Sequence, residues 1–359
     1  MANTEKVREL QSKVMRDIAA GAIIPIMMIG DDLDLFEKLY KLGPCSSENF
    51  SKIIDLDHRY IREWLLALSA AGYITYDIDT EFFSMSDEQY SVLGDENSSS
   101  LMIGGFENLV GAVHNYEIIK QNFKTGEGTE WGSLHPCCLS GSARFFKPAY
   151  SIFLLNKWLP SIKGAIETLK NGGSFADIGC GFGHSTTMIA EAFPQSSVTG
   201  IDPHEQSIIE AQKIAKKKNL ENLSYEISSA ESYTGEYDII SFFDCLHDMG
   251  DPLAAVSYAK TKLKAGGILM IIEPFANDEV SQNFNLIGQM YYSFSTIACI
   301  PASKSQDVGM ALGAQAGLGK LKSILNQGGF SKVEMTYKTA SNLSLIHISE
   351  PTRRYAISY

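Results

Sequence analysis

Phe175-Ala176-Asp177-Ile178-Gly179-Cys180-Gly181-Phe182-Gly183-His184-Ser185 is the stretch on which the fold turns. A short apolar run ends in an acid, three glycines follow at alternate positions, and a helical pattern opens behind them. Glycines in that place let the chain turn sharply after a strand and let a ligand come close to the backbone. A second apolar run ends at Asp202, nineteen residues beyond Gly183. An acid at the tip of a second strand suits the two hydroxyl donors of a ribose. A dinucleotide site asks for G-x-G-x-x-G with a helix N-terminus facing a pyrophosphate. Counted from Gly179, the third glycine of that pattern falls on His184, so the dinucleotide reading fails.

Outward from this turn the chain alternates. Ser174–Ile178, Ser197–Ile201, Leu223–Ile227, Tyr237–Phe243 and Ile268–Ile272 are short apolar runs, with helical patterns over 184–193, 204–218 and 252–264. Alternating β and α elements predict a parallel sheet covered by helices on both faces. The N-terminal part differs. Helices are expected over 34–42, from Ser46 to Ile54 and from Arg59 to Ala71, followed by short β-type runs at 73–76 and 82–85. Three helices and a hairpin are the pattern of a winged helix. The polar junction Asp95–Ser100 marks the boundary. The expected domains are thus 1–95, a helical linker and pocket lid over 96–150, and the sheet domain over 151–342.

The D-x-G-x-G-x-G run resembles motif I of class I S-adenosylmethionine (SAM) methyltransferases. That resemblance implies an α/β, Rossmann-like sheet of seven mostly parallel strands, the last antiparallel. It also implies roles for individual residues. Asp177 would work beside the amino-acid end of the cofactor, Gly179, Gly181 and Gly183 would form the cradle, and Asp202 would hold the ribose. Ser229-Ala230-Glu231 stands where the family contacts adenine, which marks Ala230 and Glu231 as cofactor residues. Asp244 opens the catalytic motif, and Lys264-Ala265-Gly266-Gly267 matches the family's turn before the fifth strand.

Methyl transfer to a phenol needs a base, because the free phenol has a pKa near ~10. A positioned base near neutral pKa contributes roughly 10²–10⁴-fold. The sequence offers Asp244-Cys245-Leu246-His247-Asp248-Met249-Gly250-Asp251-Pro252 after the fourth strand of the sheet domain. His247-Asp248-Met249-Gly250-Asp251 is similar to the H-D-W-S-D segment of plant-type small-molecule O-methyltransferases, whose His is the general base and is oriented by a Glu at the end of the next strand. The resemblance implies His247 as base and Glu273 as its partner. Met249-Gly250 replaces the Trp-Ser pair, and the second catalytic Glu of the plant enzymes has no match between Asn283 and Phe330. Aromatic and Met side chains at 131–150 and 290–310 would wall a flat apolar acceptor.

Composition narrows the partners. The 359 residues hold 45% apolar and 20% charged side chains and a net charge of −12, ordinary for a globular chain and unsuited to nucleic acid at large. Residues 1–95 carry nine Lys and Arg against seventeen Asp and Glu, a net of −8. A DNA reader needs several basic phosphate contacts, so DNA binding by this winged helix is not expected. The alternative reading is a SAM-binding winged-helix regulator with little turnover. In the plant-type enzymes the same domain builds a homodimer, and the apolar stretch Ala19–Ile29 could join such an interface. Six cysteines form no CxxC pair, and no metal ligands stand out. No run reaches ~18 apolar residues and no signal-peptide pattern opens the chain, so a cytoplasmic location without membrane contact is expected. Residues 343–359, beginning Leu343-Ser344-Leu345-Ile346-His347-Ile348-Ser349-Glu350-Pro351-Thr352-Arg353, resemble a translated sequencing-library adapter. They are read as a non-native tail whose first part is apolar enough to serve as the last strand.

Overall fold

The computed structural model describes residues 2–338 and 343–349. Asn342 and the adapter-like tail from Glu350 onward lie outside the described residues. The chain forms two compact units, one from residues 1–113 and 136–148, the other from 114–135 and 149 onward. The segment 96–150, read from sequence as a linker, thus contributes to both.

The first unit begins with a helix, Thr4–Asp32, capped by the Asn3 side chain, which accepts from the Glu5 and Lys6 amides. Its first half is exposed, with Val7, Leu10, Val14 and Ile18 facing outward. The helices Leu35–Leu42, Ser47–Ile54 and His58–Ala70 follow, the last two capped by Ser46 and Asp57. Each cap fills backbone donors that the first helical turn leaves unpaired. Strands β1 (Thr75–Asp77) and β2 (Phe82–Ser84) pair antiparallel as the wing. The helix His58–Ala70 sends Ile61, Trp64, Leu65 and Leu68 into the core beside Met27, Phe36 and Phe50.

Arg144 sits in the same unit. Its guanidinium bridges Asp31 (2.7 Å), Glu107 (2.8 Å) and Glu96. These three acids fix its orientation. An Arg144→Ala change is expected to lower unfolding stability by about 3 kcal/mol, because it leaves three carboxylates facing one another. Arg144→Lys should recover little of this, since an ammonium lacks the planar fork. Urea unfolding of the two variants checks both statements.

The second unit is built on a seven-stranded sheet. Its strands are β3 (Ser174–Ile178), β4 (Ser197–Asp202), β5 (Leu223–Ile227), β6 (Tyr237–Phe243), β7 (Leu263–Pro274), β8 (Val333–Lys338) and β9 (Leu343–Ser349). Their spatial order is β5-β4-β3-β6-β7-β9-β8. β3 to β7 are parallel, and β9 runs antiparallel to both β7 and β8. β7 begins at Leu263, not Ile268, because a register shift between Tyr237 and Ile239 lets it pair through the glycine turn. The core packs Ile178, Ile240, Phe242, Leu269 and Ile271 against the helices Pro252–Lys262 and Leu318–Gln327. The chain leaves β3 toward β4 on one side and reaches β6 on the other. Open α/β sheets bind ligands at the carboxyl ends of the strands beside such a reversal.

Candidate active site

The carboxyl edge of β3, β4, β6 and β7 gathers the acids marked in the sequence. Asp177 is fully buried in β3. Its Oδ2 accepts from the Ser185 and Thr186 hydroxyls (2.6 and 2.7 Å), and its Oδ1 accepts from Ser241 (3.0 Å). Burial pushes its pKa up to about 6, against the pull of those three hydroxyls. Through these three hydrogen bonds Asp177 ties β3 to β6 and to the helix His184–Ala192.

Gly179, Gly181 and Gly183 have φ of +71°, +52° and +70°, the left-handed region that favours glycine. They differ in what a side chain would meet. A Cβ on Gly183 would stand 2.4 Å from Tyr225 Oη, whereas one on Gly181 would meet nothing within 4 Å. Gly183→Ala is therefore expected to destabilise the fold. Gly181→Ala should fold at a cost of about 1–2 kcal/mol yet occupy the open cradle. Thermal unfolding with and without ligand separates the two.

Asp202, at the tip of β4, accepts from the amides of Gly181 and His204, both at 2.9 Å. Burial raises its pKa while those amides oppose the rise. Gly132 packs against the His204 ring, and the Thr129 amide donates to Pro301 at 2.9 Å. Residues 129–132 thus lie over the β4 tip and the later insertion. Ala230 packs at the edge of the core, and Glu231 is exposed. Nearby Asp251 and Asp307 add to a modest desolvation in raising the Glu231 pKa.

Asp244 follows β6 with φ +51°, uncommon for a residue other than glycine. Both of its carboxylate oxygens are buried and have no hydrogen-bond partner. Burial drives its pKa well above the ordinary range; Glu273 and Asp248 reinforce this and His247 opposes it. An orphaned buried carboxylate costs free energy unless a ligand supplies donors.

His247 lies on the short turn Leu246–Asp248 and is 5% exposed. Its Nδ1 is hydrogen-bonded to Glu273 Oε2, and Glu273 Oε1 accepts from the Leu246 amide at 2.9 Å. The sequence-predicted pair is therefore in contact, with Glu273 1% exposed near the end of β7. His247 Nε2 stands 3.3 Å from Asp248 Oδ1. Burial works against a charged ring, but the Asp248 and Glu273 carboxylates outweigh it and hold the His247 pKa well above its usual value.

The departure Met249-Gly250 has a steric reason. A Cβ on Gly250 would lie 2.5 Å from Gln306 Cβ and 2.6 Å from Asp307 O. The 303–313 segment closes over the turn: Ser303 donates to Met249 O, Gln306 to Asp248 O, and the Met310 and Gly313 amides to Gly250 O and His247 O. The helix Pro252–Lys262 is capped by Asp251, which leaves His247 free of that duty. Cys299 also reaches this cluster. It lies at the end of the π-helical turn Ser295–Cys299, and burial pushes its thiol up to about 11. Nothing in its sequence surroundings marked it, since it stands alone in an apolar stretch.

Residues 169–329 match the family model described as "Methyltransferase domain", and residues 21–94 match an "Rv2258c-like winged HTH domain". Among curated relatives, the ubiquinone biosynthesis O-methyltransferase of Bordetella avium is 31% identical over 154 residues, 41% of this chain and 59% of the relative. That of Acinetobacter baumannii is 26% identical over 153 residues, 41% of this chain and 61% of the relative. The chain thus spans about three-fifths of the length of these relatives. Two solved structures share the whole fold. A putative O-methyltransferase from Nostoc punctiforme aligns with a TM-score of 0.68 at 16% identity, over 98% of this chain and 100% of its own. Human N-acetylserotonin methyltransferase in complex with SAM aligns with a TM-score of 0.71 at 13% identity, over 95% and 98%.

Proposed function

We propose that the protein transfers a methyl group from SAM to a hydroxyl of a small aromatic acceptor, with His247 as general base. The observation that carries this is the buried His247–Glu273 pair at the strand edge that holds the glycine cradle. The residues present fit SAM. Gly181 leaves open space, Asp202 offers a carboxylate for the ribose, and the unpartnered Asp244 carboxylate suits an ammonium group. Gly179, Gly183, Ala230 and Glu231 complete the proposed cradle. Bound there, SAM supplies an electrophilic methyl group on a sulfonium. Glu273 accepts the Nδ1 proton of His247 and fixes the ring's tautomer; the neutral ring, whose share grows as pH rises toward the elevated His247 pKa, takes the acceptor's hydroxyl proton at Nε2. Residues 303–313 exclude water from that nitrogen.

The first unit is proposed to form the homodimer through the apolar side chains of Thr4–Asp32. Its winged helix offers little to DNA. Trp64, Leu65 and Leu68 are in the core, and Arg59 is paired with Glu63. Among the described residues, no helix is long and apolar enough to cross a membrane. Calorimetry with SAM and S-adenosylhomocysteine, followed by a panel of phenols, tests the central reading; binding of neither cofactor form would overturn it. Salt-sensitive binding to duplex DNA would favour a regulator instead.

A further inference from the structure

We propose that His247 Nε2, Asp248 and Cys299 Sγ form a binding site for a thiophilic divalent cation of the zinc class. The donor atoms of these three residues lie within 4.8 Å of one another, and no other such trio gathers among the described residues. The separations suit the ion. Nitrogen and oxygen ligands at ~2.0–2.1 Å on a tetrahedral centre stand roughly 3.3–3.4 Å apart. His247 Nε2 and Asp248 Oδ1 are 3.3 Å apart, and Asp248 Oδ1 is buried without a hydrogen-bond partner.

The surroundings are those of a metal-binding histidine. Such a residue usually donates its second ring nitrogen to a carboxylate, which fixes the tautomer and aims the lone pair. Glu273 does this at Nδ1. Nε2 faces the Asp248 carboxylate oxygen, so a positive centre belongs between them: a proton when the ring is charged, and a metal cation that displaces this proton on binding. Cys299 supplies selectivity, because a thiolate favours zinc, cobalt and copper over magnesium or calcium. Its π-helical turn carries it to this cluster, and turns of that kind recur at functional sites. On binding, the Cys299 S–H bond breaks, a sulfur–metal bond forms and the proton passes to solvent. Three protein donors leave a fourth position open for water or an acceptor oxygen.

The site shares His247 with the proposed base, so a bound cation occupies the lone pair that would take the acceptor's proton. That inhibitory consequence rests on the methyl-transfer reading; the binding itself does not. The test uses the full chain, titrated with Zn²⁺ against a chromophoric chelator and with Co²⁺ by absorbance. One equivalent of Co²⁺ is expected to give a near-ultraviolet thiolate charge-transfer band. Cys299→Ser is expected to abolish the band and raise the Zn²⁺ dissociation constant at least ~10-fold, and Asp248→Asn to raise it about as much. Cys245→Ser should leave both signals in place, and circular dichroism confirms that each variant is folded. If Cys299→Ser fails to fold, Cys299→Ala takes its place. No band, or Zn²⁺ affinity unmoved in the folded Cys299 and Asp248 variants, would overturn the proposal. Turnover is read separately. Methylation suppressed by Zn²⁺ and restored by chelator supports the shared histidine, while undiminished turnover with the site loaded overturns His247 as base and leaves the cation site standing.

Discussion

His247→Ala is expected to lower kcat by about 10²–10⁴-fold while leaving the dissociation constant for S-adenosylhomocysteine within about twofold of the parent. The two readouts part because the imidazole faces Asp248 and Cys299, whereas the glycine cradle lies in the turn between β3 and the helix His184–Ala192. Loss of a general base removes stabilisation present only in the transition state, so kcat and kcat/KM fall together. Glu273→Gln tests the second half of the pair. The amide still accepts from the Leu246 backbone but no longer offers a charged acceptor to His247 Nδ1. A smaller fall is expected, on the order of 10–100-fold. Single-turnover methylation of the best phenol from the panel decides both. A His247→Ala enzyme as fast as the parent would remove the histidine from the mechanism.

Asp202→Ala is expected to weaken SAM and S-adenosylhomocysteine binding by roughly 10²-fold or more. Two hydrogen bonds from ribose hydroxyls to the nearly buried carboxylate are worth about 1.5–3 kcal/mol each. The same carboxylate accepts from Gly181 N, so its loss also frees the cradle's central amide. Asp202→Asn should recover part of the affinity, since its carbonyl oxygen still accepts from one donor. Calorimetric titration measures the change directly; an unaltered affinity would place the ribose elsewhere.

The sheet was legible because each strand is a short apolar run ended by a turn or an acid. β3, β5 and β6 have the ends that hydrophobicity alone assigns. β7 was read too short, since its first residues are exposed and glycine-rich and pair only through a bulge. The helix Thr4–Asp32 is not legible as a helix, and only its apolar stretch Ala19–Ile29 stands out, because much of its length is polar and its Pro25 reads as a breaker. In the site, His247 and Glu273 were legible from a resemblance, and their contact is a property of β6 and β7 lying side by side. The hydrogen-bonded setting of Asp177 was not legible. It depends on Ser185, Thr186 and Ser241 converging from two elements. Cys299 could not be found by spacing either, because it comes 51 residues after Asp248 and no local pattern surrounds it.

The π-helical turn Ser295–Cys299 carries one more consequence, which concerns phase. An α-helix advances about 100° per residue, so one extra residue in a turn shifts everything beyond it around the axis. The helix Leu286–Phe294 and the residues after the turn are therefore out of phase, and Cys299 stands at that offset. Thr296 is exposed within the turn. Deleting it would return the stretch to α-helical winding and rotate the thiol away from Asp248, with His247 and Glu273 untouched. Gain or loss of the sulfur ligand thus corresponds to an insertion or deletion of one residue in an exposed position. A comparison of helix lengths would reveal it where a comparison of side chains would not.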